Sequence, residues 1–192
     1  MGLGIGREAR FNRYFEGYEK RTFIDRNGEE RTKFVYTKEY YQPKMSNGAF
    51  TARKVLNVVI FLAAGAAQLF SGLMSGCPMN SLKYMGFAQC LGILAMILMA
   101  VYICIHMAAP YTMEIHSYRG AHEKFSIAAL IVTVGMAAIF ITALVSMIIC
   151  HASGFTNIVW CAMYFIAAAL FFLMWFLEKK TDYDILPPDH QF

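Results

Sequence analysis

Charged side chains are almost missing from the middle of this chain. Of its 30 Lys, Arg, Asp and Glu residues, 19 lie in the first 54 positions and six in the last 15. The stretch from Val55 to Leu177 holds only Lys83, Glu114, Arg119, Glu123 and Lys124. A soluble domain is about a quarter charged, with polar residues on the outer face of every element, so this stretch cannot cover itself in water. That excludes a water-soluble globular protein, and the apolar content excludes a disordered chain. Five cysteines, none in a C-x-x-C pair, exclude a disulfide-rich secreted module and argue against thiol exchange with a quinone or partner thiol. There is no H-E-x-x-H, no Gly-rich phosphate loop and no nucleophile elbow. No internal repeat supports the two-halves architecture of many transporters.

What the middle does hold is four long apolar runs: Val55 to about Gly76, Tyr84 to about His106, Phe125 to Cys150, and about Asn157 to Leu177. A spanning helix needs roughly 20 apolar residues, and all four meet that length without Asp, Glu, Lys or Arg. They are continuously apolar, whereas membrane-barrel strands alternate. The fold class expected is therefore an all-α integral membrane protein with a four-transmembrane-helix antiparallel bundle over residues 55–177, between a tail of 1–54 and a tail of 178–192. The first run follows 54 mostly polar residues, which is unlike a cleavable signal peptide. Sixteen of the 17 basic residues fall in the two tails and the middle loop, and only Lys83 lies opposite. The positive-inside rule then puts both termini in the cytoplasm, with a plasma or inner membrane as the location. Arg53, Lys54, Lys179 and Lys180 are placed to snorkel to phosphates, and Tyr84, Tyr102, Tyr111, Trp160 and Trp175 to lie near the interfaces.

Short connections at Cys77–Lys83 and His151–Thr156 leave no room for an ectodomain. Small residues suit close helix contacts in lipid: Gly65, Gly72 and Gly76 in the first span, Ala128, Gly135 and Ala138 in the third, Ala167, Ala168 and Ala169 in the fourth. Gly72 and Gly76 have GxxxG spacing, which fits packing within the bundle or a dimer contact.

The amino-terminal tail reads as a second unit. Over residues 7–18, Phe11, Tyr14, Phe15 and Tyr18 share a helical stripe, with Arg10 and Arg13 off it. Arg10, Phe11, Arg13 and Phe15 are candidates for contact with an anionic membrane surface. Packing on the rest of the tail is the alternative. Asn27-Gly28 signals a two-residue turn, giving a β-hairpin over about 19–41 that pairs Phe23 with Thr32 and Arg21 with Phe34. One face then carries Phe23, Phe34, Tyr36 and Tyr40, candidates for binding a partner, because a lone hairpin is marginal in water. A helix start follows at Ser46 or Asn47. The middle loop, Met107 to Lys124, is broken by Pro110 and Gly120, and the carboxyl tail, with Pro187-Pro188, is expected to be short and extended. Within that tail Tyr183–Leu186 has the form of a tyrosine-based sorting signal, a pattern that recurs by chance.

The spans offer little chemistry. Gln68, Gln89, Thr142 and Tyr164 fall at similar depth and form an expected polar layer in the outer half, serving interhelical hydrogen bonds or a small-molecule or lipid-headgroup pocket. Cys77 and Cys150, at the outer ends of their spans, are candidates for a disulfide in an oxidising exterior; isolated membrane cysteines otherwise act as small packing residues. His106 and His151 lie at opposite depths and cannot flank a haem. Glu114, His116, His122 and Glu123 match no metal motif. No metal, cofactor or catalytic residue is implied. The tail's excess of five positive charges suits lipid headgroups better than nucleic acid. The expected partners are the bilayer and another membrane or cytoplasmic protein, or a second copy. The expected function is that of a non-enzymatic multi-pass accessory, assembly or scaffolding subunit presenting the cytoplasmic helix-hairpin. The alternative is a small oligomeric transporter, channel or lipid-binding protein working through the polar layer.

Overall fold

A computed structural model of the chain describes residues 17–24 and 29–188, with the backbone alone at Phe23 and Arg31. Four helices dominate it: α1 (Asn47–Leu73), α2 (Lys83–Ala108), α3 (Ile115–Ile149) and α4 (Phe155–Lys179). Each is long and apolar enough to cross a membrane. The helix anticipated over residues 7–18, and with it Arg10, Phe11, Arg13 and Phe15, lies almost wholly outside the described residues.

Helix α1 begins two turns before the apolar run because Ser46 caps it, its side chain accepting from the Ala49 N–H at 3.2 Å. It ends at Leu73, and Gly76 sits beyond it in a turn with φ of 80°. Gly72 and Gly76 therefore share no helix face, and the GxxxG reading does not hold. Close approach comes from Gly65, where a Cβ would stand 2.5 Å from Met96 Cε, and from Gly92, where one would stand 2.1 Å from Gln68 Nε2. The expected middle loop is shorter than its apolar boundary implied. The chain turns helical at Ile115, and Arg119–Lys124 is wound as a π-helix that feeds into the rest of α3.

The interior between the helices is built from methionine, small residues and a few aromatics. Met79, Met85, Met99, Met136 and Met174 are fully buried, as are Ala64, Ala129, Ala143 and Ala167. Flexible thioethers fill the gaps around Trp160, Tyr164 and Phe171. Leucine and β-branched residues such as Leu62, Leu94, Val134 and Ile148 are instead more than half exposed on the outward faces. An apolar exterior over a close-packed interior of small residues is the arrangement of a membrane protein, where packing rather than water exclusion holds helices together.

The starts of α1 and α3 lie beside the ends of α2 and α4, and a second, smaller core forms there around Phe50, Ala109, Met113 and Ala121. A three-stranded sheet covers it. Strand β3 (Tyr40–Pro43) is central, pairing antiparallel with β4 (Met113–Glu114) on one side and β5 (Tyr183–Leu186) on the other. The sheet ties the amino-terminal tail, the middle connection and the carboxyl tail into one layer. Tyr40 is thus part of this sheet, and Tyr183–Leu186 is a paired strand with the Tyr183 ring against Tyr118 and His122.

Strands β1 (Tyr18–Ile24) and β2 (Glu30–Tyr36) form a separate antiparallel ribbon. Tyr18 faces Tyr36, Arg21 faces Lys33, and Phe23 faces Arg31. This register is one residue away from that expected from the Asn27-Gly28 turn, which lies outside the described residues. The base of the ribbon decides it. Gly17, at φ 93°, accepts from the Thr37 N–H at 2.7 Å, and the Tyr18 and Tyr36 rings meet edge to face at 5.3 Å. A one-residue slip would move every side chain to the other face and undo that anchor.

Candidate functional site

Three polar constellations stand out from the apolar helices. The first lies at the charged end, under the three-stranded sheet. Arg53 Nη1 donates to the Leu177 carbonyl at 2.8 Å, and Lys54 Nζ donates to the carbonyls of Met107 and Ala109. Two adjacent cations of α1 thereby satisfy the last carbonyls of α4 and α2, groups that no intrahelical donor reaches and where positive charge is favoured. Lys54 is buried and bound to protein carbonyls, which corrects the snorkelling expected of it.

His106, in the last turn of α2, is 1% exposed and stacks on Phe125 at 4.4 Å. Its Nδ1–H donates to the Ala121 carbonyl at 2.8 Å, and its Nε2 accepts from Asn57 Nδ2 at 3.3 Å. The Ala121 carbonyl that accepts from the imidazole lies in the π-wound turn Arg119–Lys124. His122, one residue on, donates from Nδ1 to Glu178 Oε1 at 2.8 Å. Glu178 is 1% exposed in the last turn of α4, and the Tyr183 phenol lies near its charge. Burial first, and then the Glu178 charge, push the Tyr183 phenol well above its ordinary value, so it stays a donor.

The sequence pattern marks none of Lys54, Asn57, His106 or Glu178 as a site residue: Lys54 and Glu178 fall one position outside the apolar runs, and Asn57 and His106 lie just inside their ends. A depth count carried the signal: in antiparallel neighbours, cations in the second turn of α1 stand level with the ends of α2 and α4.

The second constellation is at the opposite end. Asn80, in the short turn Pro78–Ser81, accepts from Trp160 Nε1 at 2.8 Å and from Gln89 Nε2 at 3.0 Å. It donates to the carbonyls of Ser71 at 3.0 Å and Met74 at 3.2 Å. Gln89 Nε2 also donates to the Tyr164 hydroxyl at 2.9 Å. The structure brings Gln89 and Tyr164 together but leaves the other two members of the expected layer out. Thr142 donates to its own helix at Ala138, and Gln68 is buried with neither amide atom hydrogen-bonded. Trp160 is fully buried, a hub of the interior rather than an interfacial anchor.

The third is the β1–β2 ribbon and its base. The Tyr18 hydroxyl donates to Glu114 Oε2, while the Tyr36 hydroxyl donates to Glu39 O at 3.1 Å and accepts from the Ile115 N–H at 3.0 Å. Tyr36 is 5% exposed and packs on Tyr40 at 5.0 Å. Of the four partner-binding candidates, Tyr36 and Tyr40 are consumed in anchoring the ribbon, Phe34 is half exposed, and the side chain of Phe23 is outside the described residues. Burial foremost, and then the Glu114 carboxylate, raise the Tyr18 phenol above its ordinary value. A raised folded value means that the neutral phenol favours docking fully below about pH 10 and withdraws support only as pH rises through that higher value. Hydrogen exchange of β1 and β2 is expected to stay as protected at neutral pH as in mild alkali, once corrected for intrinsic rates. In the Tyr36→Ala variant both strands lose that protection while the four helices keep theirs.

Cys77 is a buried thiol and Cys150 an exposed one, and both are free, so the disulfide considered for them is not formed. Burial raises the Cys77 thiol, which makes it a packing residue. Among the described residues no three His, Cys, Asp or Glu side chains are grouped to hold a metal ion. Glu114 and His122 are instead bound to Tyr18 and Glu178. Comparison of the chain with family models, with curated proteins and with solved structures returns no match.

Proposed function

We propose that the chain is a non-enzymatic multi-pass protein of a plasma or inner membrane. Its four helices form an antiparallel bundle with both termini cytoplasmic, and it serves as an accessory, assembly or scaffolding subunit. The observation that carries this reading is the β1–β2 ribbon. It is clamped at its base by Tyr18 and Tyr36 and leaves Ile24 74% and Phe34 48% exposed along the same face. Two paired strands alone are marginal in water, and here like charges, Arg21 and Lys33, stand directly opposite, which weakens the pair further. Exposed strand edges and a half-exposed aromatic suit addition of an extended segment from a partner protein.

The test uses the full chain, because deleting residues 1–44 also removes β3. Cross-linking in native membranes, followed by purification in mild detergent, is expected to recover a protein partner or a second copy with the wild type. The Ile24→Lys/Phe34→Lys variant loses it, with unchanged helix content. A lone monomer, indifferent to the double substitution, would end the scaffold reading.

A second reading, a small transporter, channel or lipid-binding protein, is supported by Gln68, a buried amide without a partner. An unsatisfied buried amide costs about 1–3 kcal/mol. If the amide has no ligand, Gln68→Leu stabilises the fold by roughly 1 kcal/mol in detergent unfolding and leaves liposome flux at background. Flux present in the wild type and abolished in Gln68→Leu would favour the transport reading.

A further inference from the structure

A notch of about 530 Å³ opens beside the charged end, where α3 starts next to the last three turns of α2. Its lower wall is an apolar stripe of α2. Leu98, Val101 and Ile105 recur at i, i+3 and i+7 and are 43%, 54% and 42% exposed. Its mouth is polar: His116, Ser117 and Lys124 line it from the start of α3. Gly120 allows the two walls to close up, since a Cβ there would stand 3.4 Å from Ile105 Cγ2. Among the described residues no carboxylate is ion-paired with Lys124, and Glu123, its sequence neighbour, is not part of the wall.

We propose that this notch binds one anionic phospholipid, its phosphate at Lys124 and Ser117 and one acyl chain laid along Leu98, Val101 and Ile105. The order of the walls argues for this occupant. Ser117 stands near the end of α2, and Lys124 follows two turns further along α3 on the same lining, with a side chain that leans back toward its helix start. An apolar trough runs about 10 Å from Leu98 to Ile105 along the helix axis. A phospholipid has that same sequence of polar and apolar parts at a membrane boundary. A free phosphate makes no use of the trough, and a helix of another protein would bury the Lys124 ammonium against apolar surface. The site is independent of the ribbon, so its failure and that of the scaffold reading are separable.

Native mass spectrometry of the full chain in detergent, titrated with phosphatidylglycerol and with phosphatidylcholine of the same acyl chains, tests it. The wild type is expected to retain phosphatidylglycerol at roughly fivefold lower concentration than phosphatidylcholine, the factor that one juxtamembrane cation contributes. Lys124→Gln, an exposed position, removes the preference. Val101→Trp, which fills the trough from an exposed position, weakens retention of both lipids. Lys83→Gln, at the other end of α2, changes neither. The proposal is overturned by equal retention of the two lipids in the wild type, or by a preference that survives Lys124→Gln. It is also overturned by a preference that falls as much in Lys83→Gln, by indifference to Val101→Trp, or by complete displacement of the lipid by inorganic phosphate.

Discussion

Glu178→Ala is expected to destabilise the protein by about 3 kcal/mol, the cost of leaving a buried donor without its charged acceptor. A carboxylate in the last turn of α4 has the wrong sign for that helix's own dipole, so its place there is explained by what surrounds it. His122 donates to it at 2.8 Å, and the Tyr183 phenol lies near its charge. Without the carboxylate, His122 is left without its acceptor beneath the sheet, and the imidazole that packs against Tyr183, the first residue of β5, loses its anchor. Glu178→Gln keeps an acceptor of the same shape and is expected to cost less, about 1–2 kcal/mol. Unfolding in detergent followed by circular dichroism measures both. Equal stability of Glu178→Ala and the wild type would show that the pair does not support the fold.

Asn80→Ala is expected to cost about 3 kcal/mol and to act at the opposite end. An asparagine amide has two donor hydrogens and two acceptor lone pairs, and at Asn80 all four are used, on Trp160, Gln89, Ser71 and Met74. The residue ties the turn after α1 to the end of α1, the start of α2 and the start of α4, beside the direct Gln89–Tyr164 bond. Its loss leaves a buried indole N–H without its acceptor and the Met74 carbonyl without its donor, and the site admits water. Trp160 emission is therefore expected to shift to the red in Asn80→Ala, with Trp175, near the other end of α4, as the internal control. An unchanged spectrum would mean that the turn is held by packing alone.

The two variants probe features that were legible to different degrees in the amino-acid sequence. Run length and the absence of charge are local properties, and they located all four helices and, within about three residues, every bound except the starts of α1 and α3. The ends were less legible. The apolar run from Val55 did not show that α1 starts at Asn47, because a cap and two polar turns extend a helix without adding hydrophobicity. The run from Phe125 did not show that α3 starts at Ile115, because polar residues wind into a helix there against the second core. Lys54 and Glu178 looked like residues bound for water, one position beyond the spans. They are buried because other helices end or begin at the same level and offer them carbonyls and an imidazole.

Contacts between distant segments were the least legible. The hairpin turn favoured one register, but the tyrosines at the ribbon's base, packed against Glu114 and Ile115 far along the chain, impose another. The short strands β3, β4 and β5 are too brief to be seen by pattern, and each exists through its neighbours. Gln89 and Tyr164 could be matched by depth alone, whereas Asn80, which completes their network, sits in a turn whose direction depends on how α1 and α2 pack.

The sequence by itself determined that the middle of this protein forms four helices long and apolar enough to cross a membrane, since run length and the absence of charge are local properties. Only the tertiary structure decided where its few polar groups act, because a charge at a helix end is buried or solvated according to which other helix ends arrive beside it.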